Sequence, residues 1–229
     1  MTGARGGAAG SPAVPAGGPP GVSPKFWRLL VEEPLRRHAV LDVGTGRGRL
    51  ALALAPRCAA VVGVDSDAGA IEDASALARA AGLRNAEFVV ADAETFDFSA
   101  ARPTMVVAHL YQSEGLVRGA AQALPAGGVL AFLGFHADQW RETGRRSRFA
   151  WDEDQAVDTL ERHGFSVAHL EVDTEVSTFA SVEHALAAVV GLEDRWRQDG
   201  RWFRYIEYLE KGGRSLTRSH LIVKARKRP

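Results

Sequence analysis

The chain has 229 residues, 46% of them hydrophobic, which is enough to bury one sizeable α/β core and short for two ordinary domains. Its 28 Lys and Arg balance 28 Asp and Glu, so it lacks the strong positive field of a protein built to grip a nucleic-acid backbone, and Cys58 as the sole cysteine excludes an internal disulfide and a multi-cysteine zinc site. No apolar run approaches a membrane span and the N-terminus lacks the apolar core of a secretory signal, so a soluble, cytoplasmic protein is expected.

Residues 1–22 are almost entirely Gly, Ala, Pro, Ser and Val, too poor in large apolar side chains to offset the entropy of ordering, and read as a disordered tail. Ser23 followed by Pro24 is a helix start, with Phe26, Trp27, Leu29 and Leu30 as its apolar face. Ala39–Val43 reads as a buried strand, Gly44-Thr45-Gly46-Arg47-Gly48 as a tight turn, and the following residues as a helix that Pro56 ends. A second strand, Ala59–Val64, finishes in Asp65-Ser66-Asp67; Cys58 just before it reads as a packing residue. A helix over 68–81 stops at Gly82, and a third strand, Ala86–Ala91, ends in Asp92-Ala93-Glu94. Pro103–His109 is the fourth strand; Ser113 caps a helix reaching Leu124; a Pro-Ala-Gly-Gly turn enters the fifth strand, Val129–Phe135, which His136 follows. A helix from Trp151-Asp152 to His163-Gly164 leads to a sixth strand over Phe165–Val176, and Ser219–Ala225 reads as the last. The alternation of β and α implies a parallel sheet with helices on both faces, right-handed crossovers, and ligands beyond the strands' carboxyl ends.

The glycine turn points to a nucleotide-like ligand, because glycines permit close backbone approach and the helix that follows offers free N–H groups. The dinucleotide pattern G-x-G-x-x-G would need its third glycine at position 49, where Arg49 stands instead, which counts against a pyrophosphate and a nicotinamide oxidoreductase. Asp42, at the strand's carboxyl end, would repel a diphosphate but attract the ammonium and sulfonium of S-adenosylmethionine (SAM). The arrangement Asp42-x-Gly44-x-Gly46-x-Gly48 resembles the first motif of the class I SAM-dependent methyltransferases, and the resemblance covers roughly residues 38–136. It implies a Rossmann-like, doubly wound, seven-stranded sheet, mostly parallel and closed by a C-terminal antiparallel strand. It also implies a cofactor site of Asp42, Gly44, Thr45 and Gly46, with Asp65 and Ser66 toward the ribose, Asp92 and Ala93 toward the adenine, and Ala108 nearby. Family members usually join the last two strands by a short link, whereas about forty residues intervene here, roughly 177–217, helical in pattern and rich in aromatic residues. They are expected at the rim of the site, as a substrate-shaping lid or a dimer surface, in a monomer or homodimer.

His109 and His136 close the fourth and fifth strands and are candidate general bases, His109 before His136. The loop over 137–150 holds Trp140 and several arginines, among them Arg145, able to hold a carboxylate or phosphate of an acceptor. The Asn/Asp-Pro-Pro-Tyr pattern of amino-directed nucleic-acid methyltransferases is absent after the fourth strand, which reads Ala108-His109-Leu110-Tyr111. The expected reaction is methylation of an O, N or S atom of a small molecule, without a metal. An RNA acceptor stands second, kept open by the basic loop and tail, and a non-catalytic SAM-binding module third.

Overall fold

The computed structural model describes residues 17–229. Its sheet is built from β1 (Ala39–Val43), β2 (Ala60–Asp65), β3 (Ala86–Val90), β4 (Met105–His109), β5 (Val129–Phe135), β6 (Phe165–Thr178) and β7 (Ser215–Lys227), in the order β3-β2-β1-β4-β5-β7-β6. Only β7 runs antiparallel to its neighbours. The central strands are apolar throughout because both faces are covered. Val40, Met105, Val107, Val129 and Leu133 pack under α1 (Pro24–Val31) and α2 (Arg49–Leu54). Leu41, Val43, Val106, Leu130 and Phe132 pack under α4 (Glu114–Ala123) and α5 (Glu153–Arg162) on the other face. Between β2 and β3 runs α3 (Ala68–Ala80). Short polar side chains start four of these helices, with Ser23, Asp67, Ser113 and Asp152 accepting from backbone N–H groups of the first turns. The strand order reverses between β1 and β4, and there a crevice opens beyond the strands' carboxyl ends.

The first sixteen residues of the expected tail lie outside the described residues, and the boundary at residue 22 is corrected. Gly17–Val22 forms turns in which Val22 N–H bonds Pro19 O at 3.1 Å and Val22 is buried against the α1 side of the core. A Cβ on Gly18 would come within 2.6 Å of the Trp27 ring, so composition alone hid a segment that packs closely.

The two last strands are longer than their patterning suggested. β5 pairs with β7 only as far as Phe135 opposite His220, while β6 and β7 continue together to Thr178 opposite Ser215. This overrun leaves a free β7 edge, and the chain leaving β5 covers it. Trp140 N–H bonds Thr217 O at 2.9 Å, Thr217 N–H bonds the buried Glu142 carboxylate at 2.9 Å, and Ser219 N–H bonds Gln139 Oε1 at 2.5 Å. The overrun carries the insertion, α6 (Val182–Ala187), α7 (Glu193–Asp199) and α8 (Arg201–Glu210), outward from the carboxyl edge. Its own small core holds Ala185, Val189, Trp196, Tyr205 and Leu209, with Trp140 and Leu216 from the scaffold. Trp196 meets Trp140 and Tyr205 edge-on, at centroid distances of 5.2 and 5.5 Å. Among the described residues no helix is long and apolar enough to cross a membrane.

Removing Trp196, which is fully buried, should destabilise the protein by about 3–5 kcal/mol in urea unfolding. Phe203→Ala, on the exposed face of the same insertion, should change stability by less than about 0.5 kcal/mol.

Candidate active site

The glycine turn is held from two sides. Gly44 and Thr45 N–H groups bond Val64 O at 2.9 and 3.0 Å, and Gly46 N–H bonds Asp65 Oδ2 at 2.8 Å. Gly44, Gly46 and Gly48 all have positive φ, but for different ends. A Cβ on Gly48 would lie 2.8 Å from the Phe88 ring, so this glycine lets α2 pack on the sheet, whereas a Cβ on Gly46 would meet nothing within 4 Å. The space before the turn is a cavity of about 210 Å³ lined by Asp42, Thr45, Gly46, Arg49, Leu50 and His109, among others. Asp42, 1% exposed, accepts from Thr45 Oγ1 at 2.7 Å; burial pushes its pKa up to about 7, against the hydrogen bonds from Thr45 and Ala51 N–H. Arg49 faces the same cavity and donates to Gly21 O at 3.3 Å.

A second cavity, of about 750 Å³, lies between the strand ends and the insertion. Its walls are largely apolar, from Val22, Leu110, Leu133, Phe135, Trp140 and Leu192, with His220, Gln139, Glu175, Arg195 and Arg218 as polar groups. Val22 and His109 line both cavities and mark where they meet. Next to His109, Leu110 is 45% exposed and holds φ at +62°, an uncommon backbone for leucine and a site of local strain.

The two histidines separate sharply. His109 Nε2 accepts the Ser23 N–H at 3.4 Å, which assigns its proton to Nδ1, and burial pushes its pKa down to about 4, with His220 and Arg49 adding to the shift. At neutral pH it is an uncharged, weak base. His136 does not reach either cavity: Nδ1 meets Ser219 Oγ at 2.9 Å and Nε2 meets Glu153 Oε2 at 3.1 Å, so the ring staples β5 to β7 and α5. The expectation of a base there is corrected. Trp140 lines the larger cavity, whereas Arg145 lies outside it and donates to Asp199 O. Asp65 also accepts from Asp67 N–H at 3.0 Å and keeps lone pairs free, while Ser66 is exposed beside it. Asp92, which bonds Glu94 N–H at 2.9 Å, and Ala93 stand at the end of β3, and Ala108 is buried within β4; none of these lines the smaller cavity. Sequence reasoning passed over Arg49, seen only as a missing glycine, and His220, half-buried on β7 with its pKa lowered by burial. It also missed Tyr111, whose side chain lies against Gly44 and whose hydroxyl donates to Glu94 Oε1 at 2.7 Å, bridging the ends of β3 and β4.

Residues 40–128 match the family model described as a methyltransferase domain. Over this stretch the chain is similar to methyltransferase domains. Aklanonic acid methyltransferase DauC of Streptomyces sp. (strain C5) is 36% identical over 119 residues, 48% of this chain and 54% of that protein. The chain therefore spans about half the length of this curated relative. Among solved structures, Bacillus subtilis YcgJ superposes with a TM-score of 0.68 at 18% identity, covering 90% of this chain and 99% of that one. Magnesium protoporphyrin IX methyltransferase ChlM of Synechocystis PCC 6803, solved with bound SAM, gives 0.56 at 16% identity, covering 89% and 76%. At these identities the two structures speak for the fold alone.

The residues around the glycine turn fit SAM on their own chemistry. A buried carboxylate with no cationic partner among the described residues faces a polar-lined cavity, Arg49 lines the same cavity, and Gly46 leaves open space before it. Burial makes Asp42 costly to keep charged. The native state holds its proton up to about pH 7 while an unfolded Asp releases it near about 3.9, so between these values the native state binds more protons and this group's contribution to stability falls as pH rises. Asp42→Asn should therefore raise the midpoint of thermal unfolding at pH 8, by the equivalent of roughly 4 kcal/mol. The gain should shrink as the unfolded carboxylate takes up its proton and vanish below about pH 3.

Proposed function

We propose that the protein transfers the methyl group of SAM to an O, N or S atom of a small molecule held in the larger cavity. The observation that carries this reading is the meeting of the two cavities at His109: a small polar one and a large apolar one, joined at a single wall. Asp42 takes the ammonium of the cofactor and Arg49 its carboxylate, a pairing of opposite charges in which Asp42 ionises as its partner arrives. Asp65 accepts from the ribose hydroxyls through its free lone pairs, and Asp92 with Ala93 borders the adenine, where Tyr111 and Glu94 form the neighbouring wall. Bound SAM supplies a methyl on a positively charged sulfur, already activated for in-line attack.

What the protein adds is mainly position. Holding two reactants in line is worth up to roughly 7–11 kcal/mol, more than the about 10²–10⁴-fold typical of a general base. That ordering suits His109, whose pKa of about 4 leaves little affinity for the acceptor's proton. Its role is a neutral Nδ1–H donor at the junction, orienting the acceptor rather than deprotonating it. The apolar walls favour an acceptor with a sizeable hydrophobic body, in keeping with the small-molecule substrate named for DauC.

Calorimetric titration tests the donor half. SAM should bind with micromolar affinity, and Asp65→Ala should weaken it about 10²-fold through the lost charged hydrogen bonds. Absence of SAM binding would sink the reading. Once an acceptor is found, the rate should show no acid limb near pH 6.5, the ordinary histidine range, because His109 stays neutral down to about 4. A limb near 6.5 that vanishes in His109→Gln would return the histidine to the role of base.

A further inference from the structure

Beside the acceptor cavity lies a third hollow, of about 430 Å³, formed jointly by the loop after β5 and the junction of α7 and α8. Five guanidinium groups line it, those of Arg145, Arg146, Arg148, Arg195 and Arg201, and Asp199 supplies the one carboxylate of the lining. Arg146 is further paired with Asp152 at 3.1 Å and Arg201 with Asp199, which leaves an excess of three positive charges. Arg201 is only 6% exposed, and its Nε has no hydrogen-bond partner. A guanidinium taken out of water with an unsatisfied donor costs stability unless something pairs with it. Burial lowers the Arg201 pKa, Asp199 opposes this, and Arg145 and Arg195 add repulsion. At the α8 N-terminus Asp199 Oδ1 accepts the Arg201 N–H at 3.1 Å, and the Arg145 guanidinium lies beside Gly200. The cluster thus gathers positive charge that no part of the described chain neutralises.

The hollow adjoins the acceptor cavity. Arg195 lines both, and Arg201 stacks over Trp140, the wall residue of the acceptor cavity, at 5.9 Å. We propose that this arginine hollow binds a phosphoryl group, of diphosphate charge, on the acceptor whose apolar body fills the neighbouring cavity. This rests on the functional reading above. Planar guanidinium forks match phosphate oxygens in pairs, and three excess positive charges match a diphosphate better than a lone carboxylate.

The test is calorimetric, on the full chain at low salt without SAM, using inorganic pyrophosphate, decyl diphosphate and a twenty-nucleotide single-stranded RNA as probes. Pyrophosphate should bind, with at least a tenfold loss in Arg195→Ala and in Arg145→Ala and partial recovery in Arg195→Lys. Decyl diphosphate should bind at least tenfold more tightly than pyrophosphate, and Ala188→Trp, which narrows the acceptor cavity, should remove that gain alone. Pyrophosphate binding no stronger than that of acetate, or unchanged in the alanine variants, overturns the proposal. Equal affinity for the two diphosphates makes the hollow a site for a free anion, and RNA binding tighter than decyl diphosphate makes it a nucleic-acid surface; either result overturns it too. SAM binding, measured on every variant, reports folding. If SAM binds and pyrophosphate does not, only this inference falls; if SAM fails to bind wild-type protein, the methyltransferase reading falls independently of the anion result.

Discussion

β5 stops at Phe135 while its partner β7 runs on beyond His220, and the backbone groups exposed by that mismatch must be bonded by something other than a strand. The chain leaving β5 does this with Gln139, Trp140 and Glu142, which ties residues 136–144 into the overrun. That constraint fixes Trp140 in a left-handed backbone with its ring buried, and the ring becomes the scaffold's contribution to the core of the insertion. The acceptor cavity, the insertion and the arginine hollow all meet at this one side chain. The acceptor half of the site is thus a consequence of unequal strand lengths.

The donor half rests on a different device. Asp65 bonds both the Gly46 N–H of the glycine turn and the Asp67 N–H that starts α3, so the turn and this carboxylate fix one another's position. Asp42 sits deeper, and burial keeps its carboxyl protonated up to about pH 7. A carboxylate stabilised by a bound ammonium and destabilised by burial alone converts binding into folding stability. Asp42→Asn would trade cofactor affinity for stability, the usual exchange at a functional site.

The donor half was legible because it is local. Strand, turn and helix lie within residues 39–54, and the acids that close β2 and β3 follow at strand ends that apolar runs delimit. The same reasoning gave the sheet and the helices to within a few residues. What escaped it depends on distance in the chain. His136 and His109 look alike as strand-ending histidines, yet one is engaged by Ser219 and Glu153, 83 and 17 residues away, and the other faces two cavities. Arg49 was hidden by its role as a broken motif, and Val22 by the bland composition around it. In each case the deciding partner belongs to an element whose position the local pattern does not specify.

Charge shows the same limit at another scale. Equal numbers of acids and bases over the whole chain imply a weak field at a distance, since at physiological salt charges separated by more than about 8 Å are largely screened from one another. They say nothing of a hollow where arginines from two segments, about fifty residues apart in sequence, converge within a single lining. Arg145, Arg146 and Arg148 alone form a solvated loop, and Arg195 and Arg201 alone flank a helix junction. The loop arginines stand out in the sequence as anion binders, but nothing local pairs them with Arg195 and Arg201. The insertion brings the two sets together and buries Arg201, so the packing of its core around Trp196 and the assembly of the arginine hollow draw on the same segments. Loss of Trp196 should then be felt in two ways, as lost stability and as a weakened grip on anions, whereas the donor cavity, which shares no wall with the insertion core, is spared.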